Sequence, residues 1–183
     1  MKILATAIEG VLLVETVKHV DHRGEFFRAY CGNDLNSVIS NRHIVQINVS
    51  KTHAVGAVRG LHFQRPPKSE MKLIRCLKGK VWDVAVDLRA CSSTFLQWHA
   101  EELSAATAKM FVIPEGCAHG FQVLDEGSEL LYLHTAFYSP EAEGGVPYND
   151  PRINIKWPLD ITEISERDRL HPSIGPDFKG IIP

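Results

Sequence analysis

The chain has no excess of charge of either sign, no long apolar run and no paired-cysteine motif, and each absence removes a class of function. Its 20 Lys and Arg are set against 22 Asp and Glu, for a formal net charge of −2. That excludes a globally basic nucleic-acid binder and leaves only a local basic patch open. The most apolar stretch, Ile3 to Val14, is interrupted by Glu9 and Gly10 and is too short and too polar to span a membrane. It also lacks the basic start and small-residue cleavage site of a signal peptide, so a cytoplasmic location is expected. Cys31, Cys76, Cys91 and Cys117 form no CxxC pair and no zinc-like spacing. Free thiols in a reducing compartment are the expectation. No repeat, low-complexity tract or charge run is present. The 183 residues suffice for one domain with a full core, or one domain with arms.

What is there is a series of short β-type segments divided by Gly, Pro and Asn turns, the pattern of a sandwich or barrel. Val81–Leu88 is the clearest strand. Trp82, Val84, Val86 and Leu88 share one face under period-2 alternation, and Val81, Asp83, Ala85 and Asp87 share the other. Lys78-Gly79-Lys80 is a turn that joins it to a strand over Lys72–Leu77. Further strands are expected over 44–50, 57–64, 96–103, 109–113, 120–124 and 129–138. Asn33 is placed to cap a short helix running to about Ser40. Ser165-Glu166-Arg167-Asp168 has the form of a capping box at the start of a short C-terminal helix. Pro140, Pro147, Pro151 and Pro158 make the segment after Tyr138 an irregular excursion that wraps over the barrel without building it.

Three blocks carry the chemistry. In Arg59-Gly60-Leu61-His62-Phe63-Gln64, alternation sends His62 to the face opposite Leu61 and Phe63, together with Gly60 and Gln64. A histidine bonded to backbone is the plain structural reading. Against it stands the company of Arg59, Gln64, Lys72 and His119, since burying that many polar groups requires partners or a ligand. His119 follows a Pro-x-Gly turn, Pro114-Glu115-Gly116-Cys117-Ala118-His119-Gly120. That turn is one of two signatures of the cupin barrels, in which the histidine ligates a metal. The other signature, His-x-His followed by Glu, is broken here: Gln64 replaces the second histidine, and Glu70 is too far downstream. A reduced set of His62, Glu70 and His119 falls short of the three or four well-placed donors a divalent site wants, so a cupin-like fold without metal or other cofactor is expected. Asp168 is open to two readings, as a member of the capping box or as a carboxylate that orients a histidine through its Nδ1 proton. Tyr132 is either packing or a proton donor.

These blocks, taken with Asp21-His22-Arg23-Gly24, Gln46-Ile47-Asn48, Lys72-Leu73-Ile74-Arg75, Tyr138-Ser139-Pro140 and Asn149-Asp150-Pro151, occur in consistent order from about Thr6 to Pro172. In this the chain resembles the dTDP-4-dehydrorhamnose 3,5-epimerase family, a metal-independent branch of the cupins. The resemblance implies an all-β jelly-roll (cupin-like) barrel with a few short helices. One domain would span 1–183, with an N-terminal arm. It implies His62 as general base, Asp168 as its partner, Tyr132 as general acid and Lys72 as support for the enolate oxygen, with His119 near that oxygen. Arg23, Gln46, Asn48 and Arg59 would contact the nucleotide and its diphosphate. Phe26 would reach it from a neighbouring subunit, and Tyr138, Glu143 and Arg167 would also line the substrate site. The implied partner is a dTDP-linked 4-keto-6-deoxyhexose, inverted at C3 and C5, and the implied assembly is a homodimer whose N-terminal strand joins the partner's sheet. Nucleic acid and membrane are not expected partners.

Three positions depart from the family pattern: Arg28 stands where glutamate is common, Tyr148 where tryptophan is common, and Phe137 where tyrosine is frequent. They leave the exact nucleotide and sugar open. A C3-only epimerase, a sugar-nucleotide-binding cupin without catalysis and a metal-dependent cupin oxygenase are the alternatives. A pure binder has no need of an acid–base set such as His62, Tyr132 and Asp168, and activity that survives a chelator would exclude the oxygenase.

Overall fold

The computed structural model describes residues 1–183. In chain order the strands are β1 (Lys2–Ala5), β2 (Leu12–Glu15), β3 (Lys18–Asp21), β4 (Gly24–Phe27), β5 (Gln46–Thr52), β6 (Val58–Gln64), β7 (Lys72–Lys78), β8 (Lys80–Asp87), β9 (Trp98–Ser104), β10 (Met110–Ile113), β11 (Cys117–Val123), β12 (Ser128–His134) and β13 (Glu143–Gly145). The helices are α1 (Asn36–Ile39) and α2 (Glu166–Arg169). One sheet has the order β1-β2-β10-β7-β12-β5, the other β13-β6-β11-β8-β9, and β3-β4 forms a separate hairpin. The expected jelly-roll is thus present. No helix is long and apolar enough to cross a membrane, and all four cysteines are free.

Alternation along the strands sorts apolar side chains into three layers. Ile74, Phe111, Ile113 and Leu130 of one sheet meet Val81, Ala85, Phe121 and Val123 of the other in the space between the sheets. Leu73, Met110, Val112 and Leu133 point outward from the six-stranded sheet and are covered by Leu35 and Ile39 around α1. On the outer face of the five-stranded sheet, Trp82, Val84, Val86 and Leu88 share a layer with Leu61 and Phe63, as expected. Val146, Ile153, Ile155 and Ile181 of the proline-rich C-terminal excursion close over them. Removing such faces from water is the main force assembling the layers.

Several expectations are corrected. Asn33 does not cap α1: Leu35 occupies that position without a side-chain cap bond, and its complete burial shows that packing decides where the helix starts. β12 ends at His134, not Tyr138, because it pairs there with Gln46 and Lys72, the first residues of both neighbours. Beyond that point the chain has no ladder to join. β11 begins at Cys117, three residues before the expected start at Gly120. Cys117, Ala118 and His119 are all buried, so no alternation marked them. The excursion contributes Glu143–Gly145 as β13 on the edge of β6. β1 pairs with β2, Lys2 opposite Glu15, and forms an edge of the six-stranded sheet, which leaves the expected pairing with a partner's sheet untouched.

Candidate active site

One cavity of about 460 Å³ opens between the sheets, lined from β5, β7 and β12 on one wall and β6 and β11 on the other. Strict alternation would place Arg59 and His62, three residues apart, on opposite faces of β6. A register slip against β11 prevents this: His119 pairs with His62 but Gly120 pairs with Gly60, which leaves Leu61 unmatched. Such a bulge re-aims the side chains beyond it, and both Arg59 and His62 line the cavity. The close approach needs glycine on both strands. A Cβ on Gly60 would fall 2.6 Å from Gly120 Cα, and one on Gly120 would fall 2.7 Å from the Arg59 carbonyl oxygen.

His62 donates from Nε2 to Asp168 Oδ1 at 2.7 Å. The nitrogen is Nε2 where the sequence suggested Nδ1. Nδ1, which makes no hydrogen bond within the protein, therefore keeps its lone pair for the cavity. Asp168 also fulfils its other reading: Ser165 caps α2 by accepting from the Asp168 N–H at 3.1 Å. The capping box is only half formed, because the Asp168 carboxylate turns to His62 and accepts from Gly60 N–H at 3.0 Å. Burial opposes ionisation of Asp168, but these bonds and the nearby Arg167 outweigh it and hold the carboxyl well below the usual range.

His119 forms a second pair, Nε2 to Asp83 Oδ1 at 2.6 Å. Here burial wins and pushes the Asp83 carboxyl up, and Asp83 Oδ2 has no hydrogen-bond partner. Tyr132, on β12, sets its ring edge-on to His119 with centroids 5.7 Å apart. Burial, with Asp83 adding to it, raises its phenol well above the ordinary value. The phenol therefore holds its proton at neutral pH, and it makes no hydrogen bond within the protein.

Lys72, on β7, pairs with Glu70 at 2.7 Å. The other oxygen of Glu70 accepts from His134 Nδ1 at 2.8 Å. Burial alone would raise Glu70, but the His134 bond and the Lys72 ammonium bring it down to about 2. Glu70 is thus committed on the wall away from His62, and the set His62, Glu70 and His119 does not assemble. Gln64, in the place of a second cupin histidine, spends its amide on the carbonyls of Lys68 and Phe137 and on Ser139 N–H. The one cluster with the closeness a cation needs is His62, Asp168 and His171, whose donor atoms lie within 4.8 Å of one another. The His62 proton and the Gly60 N–H already occupy Asp168, and Arg167 stands 3.4 Å away, so the set is unsuited to a further positive charge.

At the mouth, Tyr138 Oη donates to Glu143 at 3.1 Å, and Arg167 pairs with the same carboxylate at 3.2 Å. Arg59 donates to Thr52 Oγ1 at 2.9 Å. Of the residues expected at the site, His62, Tyr132, Asp168, Lys72, Asn48, Arg59, His119, Tyr138, Glu143 and Arg167 all line the cavity. Three do not. Gln46 accepts from the Tyr138 N–H and holds that loop. Arg23 and Phe26 lie on the exposed β3-β4 hairpin, where Arg23 pairs with Asp21 at 2.6 Å and Phe26 is 75 % exposed. Arg28 pairs with Asp34. Sequence reasoning missed His134 and His171. Neither sits in a motif, and the bond from His134 to Glu70 spans 64 positions.

Residues 5–175 match the family model for dTDP-4-dehydrorhamnose 3,5-epimerase. The chain is 43 % identical over 174 residues to the dTDP-4-dehydrorhamnose 3,5-epimerase of Salmonella typhimurium, covering 94 % of each. Its fold is similar to that of the Legionella pneumophila dTDP-6-deoxy-D-glucose-3,5-epimerase, solved in complex with dTDP-4-keto-L-rhamnose. The TM-score is 0.92 at 33 % identity, over 100 % of this chain and 98 % of that one. It is also similar to a 3'-monoepimerase from Streptomyces bikiniensis in complex with dTDP-quinovose, with a TM-score of 0.85 at 32 % identity over 92 % and 85 % of the two chains. The chain belongs to the dTDP-4-dehydrorhamnose 3,5-epimerase family.

Proposed function

We propose that this chain inverts C3 and C5 of dTDP-4-dehydro-6-deoxy-D-glucose to give dTDP-4-dehydro-L-rhamnose, by proton transfer through an enolate. One observation carries the reading: a histidine with a free Nδ1 and a tyrosine with a free hydroxyl enter one cavity from opposite sheets. Inversion next to a ketone needs a proton taken from one face of the ring and another returned to the opposite face. In each step His62 Nδ1 takes the C–H proton, and the electron pair moves onto the C4 oxygen. Asp168 stabilises the imidazolium that forms. Tyr132 then protonates the carbon from the other side, and both groups recover their protonation states by exchange with water. Imidazole is the side chain suited to take and return protons near neutral pH.

The C4 oxygen gains charge in this scheme. Lys72 donates to it, and such a placed donor is typically worth about 3–4 kcal/mol. His119, its Nε2 held by Asp83, lines the same cavity and turns its other ring nitrogen to this task. Arg59 and Arg167 supply the forked donors that match diphosphate oxygens. A homodimer completes the reading. β5 is an edge strand with Ile47 and Val49 about 60 % exposed, the kind of edge that native proteins cover. Arg23 and Phe26 would then serve the partner's cavity.

The deciding experiment is proton NMR of the keto-sugar nucleotide incubated with the protein and a chelator in D2O. Deuterium at both C3 and C5 is expected. Deuterium at C3 alone would make the enzyme a monoepimerase, and none at either carbon would overturn the reading.

A further inference from the structure

The six-stranded wall of the cavity holds a polar cluster that the proposed chemistry uses only through Lys72. Glu70 binds the Lys72 ammonium with one oxygen at 2.7 Å and His134 Nδ1 with the other at 2.8 Å. All three side chains are at least nine-tenths buried. Glu70 accepts from His134 Nδ1, which places the proton of the neutral imidazole on that nitrogen. Nε2 is then an acceptor. The group facing it is Asn48 Nδ2, at 3.4 Å. An amide that turns its NH2 to His134 turns its oxygen the other way, and Asn48 lines the cavity. The Tyr132 ring stacks on His134 at 5.9 Å and 11°, which fixes the plane of the imidazole.

We propose that Glu70 and His134 are positioning residues that set the hydrogen-bond polarity of this wall. Glu70 holds Lys72 as a donor, and Glu70 acting through His134 holds Asn48 as an acceptor. The wall then selects ligands that place an N–H or O–H donor against Asn48 and an oxygen acceptor against Lys72. This inference rests on the proposed function. An imide N–H of the base and a hydroxyl of the sugar share the required chemistry.

The test is a double-mutant cycle of His134→Ala with Asn48→Ala, read as KM and kcat for the keto-sugar nucleotide and as dTDP affinity by calorimetry. His134→Ala should raise KM about tenfold, the scale of one lost oriented hydrogen bond, with a smaller loss in kcat. The double variant should be no worse than Asn48→Ala, because both changes remove the same oriented acceptor. His134→Gln can still bridge Glu70 and Asn48 and should recover most of the loss. Weakened dTDP binding by His134→Ala places the donor on the nucleotide. Unchanged dTDP binding with a raised KM places it on the sugar. Glu70→Gln preserves volume, so it reads the pair independently even where His134→Ala fails to fold. It should lower kcat and raise KM together. Additive penalties in the cycle, or an unchanged KM in both His134→Ala and Glu70→Gln, would overturn the inference. Wild-type protein that exchanges no deuterium would overturn the proposed function instead.

Discussion

Asp168 and Asp83 each accept from an imidazole Nε2, at 2.7 and 2.6 Å, yet their acidities move in opposite directions. The difference lies in what else each carboxylate meets. Asp168 has the Gly60 N–H and the Arg167 guanidinium besides its histidine. Asp83 has His119 alone, and its second oxygen is unpartnered. A close imidazole is therefore not enough to keep a buried carboxylate ionised; further donors decide the outcome. On the proposed mechanism, the His62–Asp168 pair stabilises positive charge on His62. The His119–Asp83 pair lacks such further donors, and burial there pushes the carboxyl up.

The largest effect that sharpens this contrast is expected from His62→Ala. It should reduce turnover by about 1,000-fold to 10,000-fold, with the melting curve little changed. Deuterium uptake at C3 is the measurement, and substantial uptake in the variant would sink the base assignment. Tyr132→Phe should cost about 100-fold in kcat while leaving dTDP affinity intact. A loss that tracked affinity would make Tyr132 a binding residue. Stability separates the carboxylates directly. Asp168→Asn should cost about 2–3 kcal/mol in urea unfolding at neutral pH, the scale of lost bonds to a charged group. Asp83→Asn should cost less, because it also relieves the burial of a charge. Equal losses in the two variants would break the comparison.

The smallest effect is the acid limb of stability. Glu70 moves from an ordinary 4.5 to about 2 on folding. Its contribution is complete above pH 4.5 and is lost as the pH falls towards 2. Asp168, also lowered, acts in the same sense. Asp83, raised, acts in the opposite sense and regains stability as it protonates. Glu70→Gln should flatten the limb between pH 4.5 and 2 in thermal melts. An unchanged limb would remove Glu70 from it.

The layered fold was legible wherever one face of a strand meets core and the other meets something different. Val81–Leu88 shows this, with Val84 and Val86 outward and Val81 and Ala85 inward. Legibility failed where every residue is buried, as at Cys117–His119, and where the strand is short and glycine-rich, as at β13. The motif-borne members of the site were visible through the family resemblance. His134 was not, because its meaning comes from Glu70 and Asn48 on two other strands, and period-2 patterning is blind to such partners. The joint placement of Arg59 and His62 was hidden for another reason. It depends on one unmatched residue, Leu61, and a bulge leaves no mark in the pattern of polar and apolar residues.

The bond between His62 and Asp168 spans 106 positions, and this sets an order in time. A ribosome delivers β6 through β12 before it delivers Asp168, so the strands that line the cavity are made while His62 has no partner. On the proposed mechanism, competence arrives only when the excursion has laid itself over the five-stranded sheet and α2 has docked. A nascent or C-terminally clipped chain would leave His62 without its carboxylate and Leu61, Phe63, Val84 and Val86 without their cover, and on the proposed mechanism activity would report that the last segment has been completed and seated.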